Sequence, residues 1–482
     1  MRGLLRAGLA LSVLTALMAG AALPGSGQAA RPVTTAVVAA VRDAESDPAL
    51  AGAHVGVAVV DPTDGSVLYA HDADGAYLPA STLKLLTTAT ALADLGPAFR
   101  PRTELRADGP AAGGVLRGTL YLVGGGDPLL SGADLDAAAA AVRAAGVVDV
   151  ERLALDQSYF RGTPYPAGWS WDDLGAYYAP PITALSVDEN ALDVDIAPGA
   201  GAGAPANVRV EENGGEPFVS DRATTAPAGG DPTADCHVDP ASGSVVVSGT
   251  VPAGGQLVQQ GCAVTDPSAF AANVLVAALQ AHGVRVESIV GAEEAPSQAR
   301  VLWSHDGESV AELLAKMLPP SDNFIAETLC RQIARVTDPA GSFAACTRAE
   351  TGYAASIGVE PRALSLHDGS GLSRYDLVTP RALALVLSAI ARGPYARLVR
   401  GALPRPGVDG TLDHRFVGSP LAGRIFAKTG SMMHVDNLAG YVESDDRGEL
   451  AFAVLINGFG GEKDRAAAQR AEERIVEAAA GL

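Results

Sequence analysis

The sequence predicts an α+β fold in which the two ends of the chain build one antiparallel sheet and the middle is inserted as α/β structure. Three observations predict it. Two strand-like segments lie near the N-terminus and three near the C-terminus, each set flanked by a terminal helix. Strand–helix–strand cadences fill the stretch between them. The middle also differs in texture, with helices stopped by glycine and a long Gly/Pro/Ala-rich tract.

Taken in chain order, residues 34–45 carry helical spacing. Residues 54–71 read as two strands joined by an Asp64-Gly65 turn. A helix over 81–95 is stopped by Gly96-Pro97. In the middle, 115–123 is a strand, 133–145 a helix capped by Gly146, and 150–157 a second strand, a βαβ pattern. The helix–Gly–strand cadence returns at 268–290 and more weakly at 344–359. Residues 198–232 are expected to form a loop or edge. Gly124-Gly-Gly-Asp-Pro128 follows a strand but lacks both phosphate-loop signatures, so it reads as a tight turn. At the far end, 424–431, 438–444 and 449–457 are three strands, and 464–480 is an amphipathic helix.

Composition bounds the function. The 482 residues include 35 Lys+Arg and 55 Asp+Glu, a net charge of −20. That argues against nucleic acid and anionic membrane as partners, both of which need a basic face. Apolar residues make up 48 %, enough for packed cores and too many for a disordered chain. The N-terminus carries Arg2 and Arg6, an apolar stretch from Ala7 to Leu23, then Pro-Gly-Ser-Gly-Gln-Ala-Ala. This is the pattern of a secretory signal peptide, 1–30, cleaved near Ala29 or Ala30. The expected location is exported: extracellular, or the cell-wall or periplasmic space, with peripheral or no membrane contact. Four cysteines suit that compartment. Three pairings are possible; the two local ones, Cys236–Cys262 and Cys330–Cys346, are favoured because each closes a loop within one region. No metal-ligand spacing occurs, and no metal or cofactor is expected.

Lysine occurs only four times, at Lys84, Lys316, Lys428 and Lys463, while arginine serves everywhere else. A buried lysine can shed its proton and arginine in practice cannot, so these positions invite a chemical reading. Two of them fall in short motifs. Pro79-Ala-Ser81-Thr-Leu-Lys84 opens a helix, with Ser81 and Lys84 on one face. A serine hydroxyl is a poor nucleophile without a base, and a desolvated lysine can be that base. Ser321-Asp322-Asn323 precedes a second helix; its hydroxyl and amide suit proton relay and substrate-amide binding, although a plain helix cap has the same composition. Lys428-Thr429-Gly430-Ser431 ends a strand. Its cation and hydroxyl suit a carboxylate, and Gly430 is expected to let a ligand backbone approach closely. Each motif alone is weak; in this order, on helix start, helix start and strand, they reinforce one another.

The set resembles the Ser-x-x-Lys, Ser-x-Asn, Lys-Thr-Gly signature of penicillin-binding proteins and β-lactamases. Three further runs narrow it: Leu122–Leu130, Tyr177-Tyr-Ala-Pro-Pro-Ile-Thr-Ala-Leu-Ser-Val-Asp-Glu-Asn190 and Asp368-Gly-Ser-Gly-Leu-Ser-Arg374. They are similar to the D-alanyl-D-alanine carboxypeptidase/endopeptidase family, the class C low-molecular-mass penicillin-binding proteins, over essentially the whole mature chain. The resemblance implies a penicillin-recognition (DD-peptidase/β-lactamase-like) domain with a five-stranded antiparallel sheet flanked by helices, formed by 31–101 and 300–482. It implies an insertion over 102–299 folded as two α/β domains, 102–125 with 207–299 and 126–206.

The resemblance also implies roles. Ser81 is the acylated nucleophile and Lys84 its base. Ser321 relays a proton to the leaving D-alanine, and Asn323 holds the peptide amide. Lys428 and Thr429 bind the terminal carboxylate, and the N–H groups of Ser81 and Ser431 form an oxyanion hole. The partners implied are peptidoglycan stem peptides, with β-lactams as covalent inhibitors. The run Trp169-Ser-Trp171-Asp172-Asp173, with Tyr177 and Tyr178, is expected to meet the cationic side chain of such peptides if the insertion folds back near Met432 and Met433.

Three alternatives are weaker. A class A β-lactamase deacylates with a Glu four residues before an Asn, and none of the seven Asn here has one. A Ser-His-Asp hydrolase would need a Gly-x-Ser-x-Gly elbow, which Asp368-Gly-Ser370-Gly beside His367 is not. An intact Ser81/Lys84 pair and Lys428 argue against a non-catalytic penicillin-sensing or wall-binding module.

Overall fold

In the computed structural model, which describes residues 33–210, 218–239, 242 and 244–481, both chain ends enter one sheet. The expected signal segment lies outside the described residues. The sheet order is Ile425–Met432, Val435–Ser444, Gly448–Asn457, His54–Val60, Val67–His71, antiparallel throughout. Strand alternation divides the side chains between two cores. Val55, Val57, Val59, Phe452, Val454 and Ile456 face the terminal helices Val33–Ser46 and Glu462–Ala480. Ala58, Ala439, Ala451 and Ala453 face the other way, against helices Lys84–Asp94 and Pro380–Arg392. Small side chains on that face let helices sit close to the sheet. The helix Lys84–Asp94 is buried on every side from Lys84 to Leu92.

The insertion carries a second sheet, in the order Arg285–Ala292, Asp149–Asp156, Val115–Val123, Arg102–Ala107, Arg300–Asp306, with Ala111–Ala112 paired on Val115–Val123. Its first three strands are parallel, as the βαβ cadence predicts. Helices Gly132–Ala144 and Pro267–Ala281 pack against it. Shorter strands form further small sheets, including Val258–Ala263, Ala191–Ala197 and Asn207–Val210. The Gly/Pro/Ala-rich tract holds short strands at Asn207–Val210, Val219–Asp221 and Thr224–Ala226 rather than loop alone.

Strand pairing departs from the expected boundaries in two places. Arg300–Asp306 does not begin the outer domain; it pairs antiparallel with Arg102–Ala107 and closes the insertion's sheet. Asp149–Asp156 lies between Val115–Val123 and Arg285–Ala292, so the 126–206 grouping cuts through a sheet. The reason is packing. Val150, Leu153 and Leu155 share one core with Leu120, Leu122 and Phe270, and a strand buried on both sides cannot be parted from its neighbours. Both favoured disulfides are formed, Cys236–Cys262 and Cys330–Cys346. Among the described residues no helix is long and apolar enough to cross a membrane.

Candidate active site

The three motifs converge where the helix start meets the sheet edge. Ala80–Leu83 forms a 3-10 turn that runs straight into the helix Lys84–Asp94. Ala80 holds φ = 45°, a left-handed conformation that an alanine keeps only under tertiary constraint. Asn437 supplies much of it: its amide donates to the carbonyls of Leu78 (2.9 Å) and Pro79 (2.8 Å), and Asn457 Oδ1 accepts from Leu78 N–H. Neither asparagine was singled out from sequence. The available signal was a pair of polar residues, Asp436 and Asn437, at the start of the strand Val435–Ser444, just ahead of its apolar run Leu438–Val442.

Lys84 is completely buried. Its Nζ lies 2.7 Å from Ser81 Oγ, 2.6 Å from Asn323 Oδ1 and 3.0 Å from the Ser370 carbonyl. Burial pushes its pKa down to about 8, against the opposing pull of Asp322, Asp368 and Glu327. Asn323 opens the helix Asn323–Arg335, which Asp322 caps through Ile325 N–H. Ser321 sits at φ = 69°, so the second motif also turns sharply into its helix. The Asn323 amide donates to the Tyr178 carbonyl of the insertion (2.9 Å). Glu189, the middle of three consecutive left-handed residues Asp188–Asn190, has its carboxyl pushed up by burial and by Asp322, to which it is hydrogen-bonded.

In the third motif, Lys428 is fully buried and donates to the Thr429 carbonyl at 2.9 Å. Burial, and after it the Lys84 charge, hold its pKa well below the usual lysine range. Thr429 Oγ1 meets Thr411 Oγ1 at 2.7 Å, and Ser431 Oγ donates to Asp436 (3.1 Å), which Arg465 also contacts. Gly430 is small for a different reason than expected. A Cβ there would stand 2.7 Å from the Pro79 carbonyl oxygen and 3.1 Å from Ser81 N, so it lets the strand press on the nucleophile's turn rather than admit a ligand backbone.

Above these groups lies a cleft of about 390 Å³. Ser81, Ser321, Asn323, Ser431 and Met432 line it from the motifs. Gly371, Leu372 and Arg374 line it from the Asp368–Arg374 run, and Arg465 from the terminal helix. Asp173, Tyr177 and Tyr178 come from the insertion, which does fold back beside Met432 and Met433. The expected acid pair is divided: Asp173 accepts from Tyr178 O–H at 2.9 Å within the cleft, while Asp172 is exposed and does not line it. Trp169 is an anchor, donating from Nε1 to Asp368 at 2.8 Å. Neither Lys84 nor Lys428 is among the cleft-lining residues. Among the described residues, the one cluster of candidate metal ligands is Cys330, Cys346 and Glu350, and both of its sulfurs are bonded to each other.

Comparison with known proteins matches residues 37–481 to the family model described as D-Ala-D-Ala carboxypeptidase 3 (S13). The chain is 36 % identical over 447 residues to the D-alanyl-D-alanine carboxypeptidase of Actinomadura sp. strain R39, covering 89 % of this chain and 82 % of that protein. It is 30 % identical to the D-alanyl-D-alanine carboxypeptidase DacB of Haemophilus influenzae, covering 85 % and 86 %. The crystal structure of penicillin binding protein 4 from Haemophilus influenzae superimposes with a TM-score of 0.83 at 28 % identity, covering 92 % of this chain and 99 % of that one. The same protein complexed with a β-lactam gives 0.76 at 27 % identity, covering 91 % and 98 %.

Proposed function

The chain belongs to the D-Ala-D-Ala carboxypeptidase 3 (S13) family and is a serine-type D-Ala-D-Ala carboxypeptidase, and on that premise we propose that Ser81 carries the acyl group. The observation that carries this reading is the 2.7 Å contact between Lys84 Nζ and Ser81 Oγ at the floor of the cleft. Neutral Lys84 takes the hydroxyl proton as Ser81 Oγ attacks the carbonyl between the two D-alanines of a peptidoglycan stem peptide. The N–H groups of Ser81 and Ser431 receive the oxyanion. Ser321 returns a proton to the departing D-alanine nitrogen, and Asn323 exchanges its bond to the Tyr178 carbonyl for one to the substrate amide. Thr429 faces the terminal carboxylate, with Lys428 behind it. Water then cleaves the ester. The same steps on a cross-linked peptide are a DD-endopeptidase reaction, and a β-lactam is trapped as the ester. Two disulfides suit action outside the cytoplasm.

The insertion supplies selectivity in this reading. Asp173 Oδ2 is buried and has no hydrogen-bond partner among the described residues, which suits the free amine of a lysine or diaminopimelate side chain. The test of the whole reading is mass spectrometry after exposure to a penicillin, with the adduct mapped, together with release of D-alanine from a D-Ala-D-Ala peptide. An adduct on Ser321 or Ser370, or none, overturns it.

A further inference from the structure

Lys84 has three polar neighbours at Nζ, and two of them are carbonyl oxygens: Asn323 Oδ1 and the backbone oxygen of Ser370. Carbonyl oxygens only accept. A neutral amine has two N–H bonds and one lone pair, so if both hydrogens go to the carbonyls, the lone pair is left facing Ser81 Oγ. Asn323 belongs to the second motif. The Ser370 carbonyl belongs to none, and the turn that presents it is held with unusual thoroughness.

The turn's N–H groups are bound from below by Glu327, one helical turn beyond Asn323 and fully buried. Its carboxylate accepts from Ser370 N–H at 2.7 Å and from Gly369 N–H at 3.1 Å. Asp368 binds the other end, accepting from Gly371 N–H and Ser373 N–H, both at 2.7 Å. The Gly369 carbonyl accepts from Thr87, itself one turn beyond Lys84, at 2.6 Å. Thr87 Oγ1 also lies 2.8 Å from Glu350, whose carboxyl is pushed far up by burial. Steric fit closes the arrangement. A Cβ on Gly371 would stand 1.9 Å from the Ala80 carbonyl oxygen, and one on Gly369 would stand 2.6 Å from Cys330 Cβ. The turn is wedged between the nucleophile's turn and the Cys330–Cys346 disulfide.

We infer that Glu327 is a positioning residue, holding the Ser370 carbonyl where it takes one Lys84 hydrogen and aims the amine's lone pair at Ser81. It touches neither substrate nor nucleophile and acts through the Gly369–Ser370 backbone. The inference rests on the reading of Ser81 as the acylated residue and Lys84 as its base.

The experiment is stopped-flow acylation by a fluorescent penicillin, separating the limiting rate from the preceding affinity. Glu327→Asp keeps a carboxyl group and shortens the reach by one methylene. It should lower the limiting rate about tenfold to a hundredfold, the scale of a misplaced reacting group, with affinity changed less than about threefold. Glu327→Gln keeps the reach, and its single carbonyl can accept from both N–H groups, so it should recover most of the rate. A wild-type rate in Glu327→Asp overturns the inference. So does equal loss in the Asp and Gln variants, which would show that reach alone does not set the rate. If Glu327→Asp fails to fold, Asp368→Asn, which loosens the turn from its other end, must show the same rate-only loss, and a wild-type rate there overturns it equally. A wild-type protein with no adduct on Ser81 removes the underlying reading; an adduct there with unchanged variants removes only the inference.

Discussion

The Lys84 amine donates to the Asn323 side-chain carbonyl at 2.6 Å, joining residues 239 apart in sequence. Between them lies the whole insertion, so the contact is made by direct packing of the helices Lys84–Asp94 and Asn323–Arg335. It also sets the chemistry. Burial, which disfavours the charged amine, pushes the pKa of Lys84 down to about 8, and so makes it available as a base.

Acylation should be confined to Ser81. Ser81→Ala should show no penicillin adduct by intact mass and no D-alanine release, with an unchanged thermal melt. An adduct surviving the substitution would place the nucleophile elsewhere.

The acylation rate should rise with pH through about 8, because the neutral form of Lys84 is the active one and its proton is lost there. Lys84→Arg removes the titration, since a guanidinium stays charged. It should acylate on the order of a hundredfold or more slowly at every pH. A flat profile in the wild type would assign the base to another group.

Lys428 should trade stability for function. Its proton is disfavoured in the fold, whereas the unfolded chain binds it up to the ordinary value of 10.5. Between its lowered value in the fold and 10.5 the unfolded state holds more protons, so this residue opposes folding, most strongly below that window, and its penalty shrinks as pH rises toward 10.5. Lys428→Met fills similar volume without a buried amine. It should raise Tm by about 2 °C or more at neutral pH while D-alanine release falls at least about tenfold. A lowered Tm would show that the bond to the Thr429 carbonyl outweighs the burial.

Asp173→Asn should narrow the preference for stem peptides with a free side-chain amine over their acetylated forms, and Asp172→Asn should not. Competition kinetics on the two peptides measure it. Equal effects from both positions would mean the amine is read from the cleft's rim rather than its lining.

Removing the Cys330–Cys346 bond by a double alanine substitution should cost about 2–4 kcal/mol by denaturant unfolding, the usual range for a native disulfide. A change within 0.5 kcal/mol would mean that packing between the two helices already holds them.

Much of this was legible in the sequence because it is local. Strand alternation and helical spacing found the five strands and both terminal helices, since each depends on neighbours within a few residues. Ser81 and Lys84 were legible for the same reason: three residues apart at a helix start means one face. The rarity of lysine then marked Lys84 and Lys428 as chemical. What failed was non-local. Arg300–Asp306 reads as a strand only beside Arg102–Ala107, and the burial that binds Asp149–Asp156 into its sheet comes from both sides.

The sequence by itself therefore determined the five strands of the shared sheet, both terminal helices, the motif order and the family. Only the tertiary structure decided which atoms meet: that Gly430 yields space to Pro79 and Ser81 rather than to a ligand, that Asp173 and not Asp172 enters the cleft, and that Lys84 is flanked by the Ser370 carbonyl. The physical reason is that spacing along a chain fixes which face a side chain shares with its near neighbours. Burial, the donor or acceptor opposite it, and the pKa that follows are set by segments brought in from hundreds of residues away.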